Sequence, residues 1–165
     1  MRLILTRHAK SSWNEPYLSD HDRPLSKRGR KSSDAIGRWL VKNGHIPKTV
    51  LCSTSARTTE TWDRIQKFMP HPCEVRYESD LYHGSTHSIL DVLAQATESP
   101  VLILGHNPGI GIFAESMLRV LPRHHAFMQY PTAATLICDV PVENWTEVRM
   151  NTAQFVDFVI PRELV

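Results

Sequence analysis

Four side chains stand at the ends of short apolar runs and share one kind of chemistry. Arg7 and His8 follow Arg2 to Thr6, Arg57 follows Thr49 to Cys52 across the polar stretch Ser53-Thr54-Ser55-Ala56, and His106 follows Val101 to Leu104 and Gly105. Guanidiniums donate in forked pairs to tetrahedral oxyanions, and charge-assisted hydrogen bonds carry the charge of a phosphoryl group. Arginines close by also disfavour imidazolium, so either histidine can keep a lone pair at neutral pH for attack on phosphorus. His8, fixed between a strand and a loop, is the expected nucleophile, and Arg7 is placed to hold an equatorial oxygen of the transition state. His106 then donates from a second face. Arg57 closes the cage from a helix start, where backbone N–H groups favour anions.

These groups meet only if the elements carrying them are strands of one sheet. Short β-prone runs alternate with helical patterns. Arg2 to Thr6 reads as a buried strand, followed by a polar loop from Ala9 to Leu25 that contains Pro16 and Pro24. Ser26 is the expected N-cap of a helix from Lys27 to Asn43, with Asn43-Gly44 as its stop. Thr49 to Cys52 is a strand, Arg57 to Phe68 a helix, Val75 to Tyr77 a short strand and Ser85 to Ala96 a third helix. Val101 to Leu104 is the strongest strand pattern, and a helix runs on from Gly109 to about Val120. Ala134 to Val140, Glu147 to Met150 and Phe155 to Ile160 read as strands. The implied fold is α/β, a three-layer sandwich with a mainly parallel sheet, helices on both faces and an antiparallel edge from the C-terminal strands. Ligands bind at the carboxyl ends of such strands, where all three polar termini converge.

The composition excludes little but is consistent with one domain over residues 1–165, with 41% apolar residues to build its core. A formal net charge of +2 demands neither nucleic acid nor membrane as partner. Cys52, Cys73 and Cys138 have no metal or disulfide spacing and read as reduced thiols of a cytoplasmic protein; Leu3-Ile4-Leu5 is far short of an export or membrane segment.

The same residues resemble a family. Thr6-Arg7-His8-Ala9 looks like the R-H-G/A motif of the histidine phosphatase superfamily, whose fold is called phosphoglycerate-mutase-like. Ser53 to Thr61 is similar to its second-arginine helix start, and Gly105-His106-Asn107-Pro108 to its second-histidine loop. Within it, Arg7 to Trp13, Asp22-Arg23-Pro24-Leu25 with Arg28-Gly29, Asp80-Leu81-Tyr82 and the closing Phe158 to Leu164 resemble the SixA-type phosphohistidine phosphatases. The resemblance implies His8 as nucleophile, Arg7, Arg57 and His106 as the phosphate cage, Arg23 beside it, and neither cofactor nor metal. The implied partner is a phosphorylated protein, such as a histidine-containing phosphotransfer or phosphocarrier protein, with inorganic phosphate as product.

Larger members of the superfamily carry a clear general acid in mid-chain, where this sequence offers only Glu78 and Asp80. Phosphohistidine needs less help, because its leaving imidazole can be protonated readily near neutral pH, whereas an ester oxygen cannot and would have to leave as an alkoxide. The rivals are a phosphatase for small phosphate esters or phosphoserine/threonine, which would use an acid such as Asp80, and a phosphate-binding module without turnover. Blander readings stand beside several residues. Arg23 also suits a loop salt bridge, and Asn107 a turn support. His83 and His87 have metal-ligand spacing without a third ligand, and His124-His125 reads as solvated surface. Lys27 to Lys31 reads as a solvated first helical turn rather than a binding run. Cys52 to Arg57 imitates the span of a cysteine-phosphatase loop but lacks its glycines, which leaves Cys52 in the core.

Overall fold

The computed structural model describes residues 1–165. Strand β1 (Arg2–Arg7) is buried on both sides, and its alternation divides the core: Leu3 and Leu5 belong to one apolar cluster, Ile4 to the other. Helices α1 (Lys27–Lys42) and α2 (Ala56–Ile65) cover the Ile4 side with Ile36, Leu40, Trp62 and Ile65. Helices α3 (Thr86–Leu93) and α4 (Gly109–Met117) cover the other with Ile89, Val92, Ile110 and Phe113. The molecule is therefore three layers, as expected.

The remaining strands are β2 (Thr49–Ser53), β3 (Glu74–Glu78), β4 (Val101–Gly105), β5 (Thr135–Asp139) and β6 (Gln154–Val159), and the sheet runs β3-β2-β4-β1-β5-β6. β3, β2, β4 and β1 pair in parallel, and β5 runs antiparallel to both β1 and β6. The connection from β1 leads toward β2 and the one from β4 toward β5, on the opposite side. The two strands lie in register, Arg7 against Gly105, with a ladder bond from His8 N–H to Gly105 O at 3.0 Å. This is the switch point at which open α/β sheets place ligands.

Local chemistry sets the helix starts. Ser26, Ser55 and Ser85 each sit in extended backbone and accept an N–H from three residues on. At the other end of α1, Gly44 takes φ +73°, a left-handed conformation glycine adopts without steric cost. Three expected helices end earlier than the pattern implied. α2 tightens into a 3₁₀ turn over Gln66–Phe68, α3 stops at Leu93 and α4 at Met117.

The expected strand from Glu147 to Met150 does not exist. Trp145–Glu147 forms a short turn, with the buried Trp145 indole donating to Glu98 O at 2.7 Å. Val148 and Met150 pack against the core from an irregular segment, which reproduces a period-two pattern without a ladder. β6 takes the edge position beside β5 directly.

Candidate active site

His8 and His106 leave the ends of two neighbouring strands, and their ring centroids lie 5.3 Å apart. Both are buried, at 7% and 5% exposure. The His8 Nδ1 is 2.7 Å from the carbonyl of Ala9, and the His106 Nε2 is 2.8 Å from Ser53 Oγ at the end of β2. Burial, followed by the charges of Arg7, Arg57 and Arg23, lowers His8 to about 3, against the one opposing pull of its bond to Ala9. Burial first, then His8, Arg57 and His83, lowers His106 to about 3. Both rings are neutral at physiological pH.

Arg7 and Arg57 flank the pair. Arg7 Nη1 donates to Tyr130 O at 3.1 Å, and the same carbonyl accepts Asn107 Nδ2 at 3.0 Å. Tyr130 reaches that position with φ 45°, unusual for a bulky residue, and its hydroxyl anchors the turn on Leu5 O at 2.6 Å. Asn107 thus braces the Gln129–Tyr130 turn, a different one from the turn before Pro108 that the sequence suggested. Arg57 is almost wholly buried in the first turn of α2. The polar stretch around it works as a brace. Thr58 Oγ1 donates to Ser53 O, Thr61 Oγ1 accepts the Ala9 N–H, and Glu60 accepts both Leu25 N–H and Arg30 Nε.

Asp20, which carried no signal in the sequence, lies at the centre of the charged network. Its carboxylate accepts Arg57 Nη2 at 3.0 Å, Arg23 Nη2 at 3.3 Å and the Tyr82 hydroxyl at 2.5 Å, and its backbone carbonyl accepts Arg57 Nη1 at 2.7 Å. The Tyr82 bond and the two arginines hold its carboxyl well below the usual carboxylate range. Arg23 forms the salt bridge, to Asp20, and is buried close enough to His8 to lower its basicity. Its guanidinium lies 3.6 Å above the Trp13 ring. Glu78 and Asp80 make no hydrogen bond to any of these groups. Tyr82, a short step beyond them, does so in their place.

Several buried donors on this rim find no acceptor within the protein: Arg7 Nε, Arg57 Nε, and Nε and Nη1 of Arg23. His106 Nδ1 is likewise without a partner. Groups so costly to leave unpaired, gathered beside two neutral imidazoles, suit an oxyanion that supplies many acceptors at once. A cleft of about 440 Å³ opens beside His106, bordered by His83, His87, Asn107 and Ile112. The largest cavity, about 650 Å³, lies at the opposite end of the sheet around Asp139 and Phe155 and holds none of these groups.

Other candidates fall elsewhere. His83 precedes α3 rather than sharing its face with His87; it sits 3.9 Å from Asp20, while His87 is exposed beside Asp91. His124 is held by Glu163 at 2.6 Å and packs edge-on against Phe158, so only His125 fits the description of solvated surface. Cys52 is fully buried, its thiol pushed up to about 12 by burial, which removes the cysteine-nucleophile reading. The three cysteines are unpaired, and no helix is long and apolar enough to cross a membrane.

The family model of the histidine phosphatase superfamily (branch 1) matches residues 3–84. A solved structure from Nakamurella multipartitia carrying the SixA phosphohistidine phosphatase assignment is 29% identical, with a TM-score of 0.79 over 97% of this chain and 95% of its own. One from Agrobacterium tumefaciens with the same assignment is 25% identical, with a TM-score of 0.80 over 97% of each chain. The protein histidine phosphatase SixA complexed with tungstate shares the fold across 100% of both chains, with a TM-score of 0.81 at 19% identity.

Proposed function

The chain belongs to the histidine phosphatase superfamily, and within it we propose a phosphatase that hydrolyses phosphohistidine on proteins through a covalent intermediate on His8. The observation that carries this reading is the state of the His8 ring. A carbonyl oxygen only accepts, so the 2.7 Å contact to Ala9 places the proton of the neutral ring on Nδ1 and leaves the lone pair on Nε2. A nucleophile is thus prepared without a separate base.

In the first step Nε2 attacks phosphorus while the bond from phosphorus to the substrate imidazole breaks, the substrate ring having taken a proton from solvent water so that it leaves as neutral imidazole. In the second, water attacks the phosphorus, the bond to Nε2 breaks, and inorganic phosphate leaves with the neutral ring restored. In this reading the guanidiniums of Arg7, Arg23 and Arg57 carry the equatorial oxygens in both steps, and His106 a further oxygen.

The state of the nearest acid supports a phosphoramidate over an ester. Asp20 is ionised and engaged by two arginines and a tyrosine, which makes it a poor donor to a leaving alkoxide. A leaving imidazole has no such requirement. Asp20 also competes with the incoming phosphoryl group for Arg57 Nη2, so substrate binding must loosen that contact.

The test is inorganic phosphate release from a phosphohistidine-bearing protein and from a small alkyl phosphate, with wild type and His8→Ala checked for folding. Release from the phosphohistidine protein by wild type alone supports the reading. Faster release from the ester would replace phosphohistidine as the substrate, and phosphate binding without release from either would reduce the chain to a binding module.

A further inference from the structure

Three separate segments meet at the end of the sheet where His8 lies, and two of them carry arginine or lysine. β1 ends beside the start of β5, and β5 starts beside the end of β6, through Thr6–Thr135 and Thr135–Val159, so Pro161 and Arg162 emerge on the same rim. α1 begins there as well. Ser26 N–H and Oγ both bond to Lys10 O, two residues beyond His8, and a Cβ at Gly29 would lie 2.1 Å from that oxygen. The third segment is the loop from His125 to Thr132, which leads into Ala133, whose N–H bonds to His8 O at 2.9 Å.

Between them lies a cleft of about 200 Å³ bordered by Arg28, Ser32, His125, Gln129 and Arg162. An adjoining cleft of about 290 Å³ shares Arg28, Ser32 and Arg162 and adds Lys31. No Asp or Glu borders either one; the terminal Val165 borders the second.

The neighbouring acids are all engaged elsewhere: Asp34 with Arg64, Glu60 with Arg30, and Glu163 with His124 and Ile160 N–H. Lys10, Arg28, Lys31 and Arg162 are exposed and form no ion pair. With Arg30 and Arg64 paired on the same two helices, these four unpaired cations leave the face predominantly positive. Concentrated positive charge beside a catalytic rim attracts a complementary surface and sets orientation.

We propose that this basic face docks an acidic surface of the phosphorylated protein, with Arg28 and Arg162 reading Asp and Glu side chains that flank the phosphohistidine. The inference rests on the phosphohistidine reading for its substrate and on the clefts for its location. Both arginines are exposed and outside the phosphate cage, so their replacement leaves the chemical step intact.

The experiment compares wild type with the double variant Arg28→Glu/Arg162→Glu on three probes: a phosphohistidine peptide flanked by Asp and Glu, the same peptide flanked by Asn and Gln, and phosphoramidate. Wild type should show a KM about tenfold lower for the acidic peptide, as expected of a few exposed charge pairs. The variant should lose that preference while keeping kcat and its phosphoramidate rate. Equal KM values for the two peptides with wild type, or an unchanged preference in the variant, would overturn the proposal. If wild type hydrolyses none of the probes, the phosphohistidine reading fails separately, and the face is judged by fluorescence anisotropy of the unphosphorylated acidic peptide. Salt-sensitive binding that is weakened in the variant upholds it, and equal binding by both proteins rejects it.

Discussion

The site has two walls of different construction. One is made of strand ends and a helix start: Arg7 at the end of β1 and His8 just after it, Ser53 and Arg57 at β2 and α2, His106 after β4. These residues are buried or half-buried and held by backbone registers and short braces such as Thr61 to Ala9 N–H at 3.0 Å. The other wall is made of loops: Asp20 and Arg23 in the long connection after β1, Tyr82 and His83 in the turn before α3. Its members are held mainly by one another, through a half-exposed carboxylate whose side chain is 46% accessible. The strand wall can preorganise charge stabilisation with little rearrangement on binding, whereas in the loop wall Arg23 Nη2 and the Tyr82 hydroxyl are already engaged by Asp20 and must rearrange to reach a phosphoryl group.

The sharpest way to separate the walls is to remove one group from each. Arg57→Ala deletes the guanidinium shared by both, and kcat/KM should fall by about 10²- to 10³-fold, the usual cost of losing a preorganised oxyanion donor. Arg57→Lys should recover only part, since an ammonium cannot reproduce the fork. Steady-state kinetics on the phosphohistidine substrate checks both. A loss under tenfold would show that Arg57 mainly anchors the loop.

Asp20→Asn should have a smaller effect of the opposite sign on anion binding. An amide oxygen can still accept from Arg57, but the negative charge that opposes phosphate is gone, so the inhibition constant of inorganic phosphate should drop several-fold, as expected from removing one nearby like charge. A weaker inhibition constant would mean that Asp20 holds the arginines in place more than it competes with phosphate.

The strand wall also makes a pH prediction. His8 and His106 are lowered to about 3 in the folded protein and lie near 6.5 when unfolded. Below about 6.5 the unfolded chain takes up protons that the folded one refuses, so stability is full above that pH and declines as the pH falls from about 6.5 toward 3. Urea midpoints at pH 7 and pH 5 should show the decline. Imidazole NMR signals of the two residues should stay flat between pH 8 and pH 5, and titration near 6.5 would contradict their burial.

The same contrast explains what the sequence revealed. Arg7, His8, Arg57 and His106 were legible because each closes a short apolar run, and parallel strands bring their carboxyl ends together whatever the intervening lengths. The helix stop at Gly44 and the cap at Ser26 were legible for equally local reasons. Asp20 was not, because Ser19-Asp20-His21-Asp22 looks like any acidic loop until Arg57 and Tyr82, thirty-seven and sixty-two residues away, reach its carboxylate. Glu78 and Asp80 are the acids this stretch offers, but the residue of it that bonds to Asp20 is Tyr82. Glu147 to Met150 misled in another way, since alternating exposure arises from a turn tucked against the core as readily as from a strand.

The central claim is that Nε2 of His8 takes the phosphoryl group. It is tested most directly by quenching the enzyme during turnover of a phosphohistidine substrate and mapping the modified residue by mass spectrometry at neutral to alkaline pH. The account predicts an acid-labile phosphoenzyme on His8 of the wild type and none on His8→Ala. Turnover with no phosphate on His8, or a phosphoenzyme that persists in His8→Ala, would contradict it.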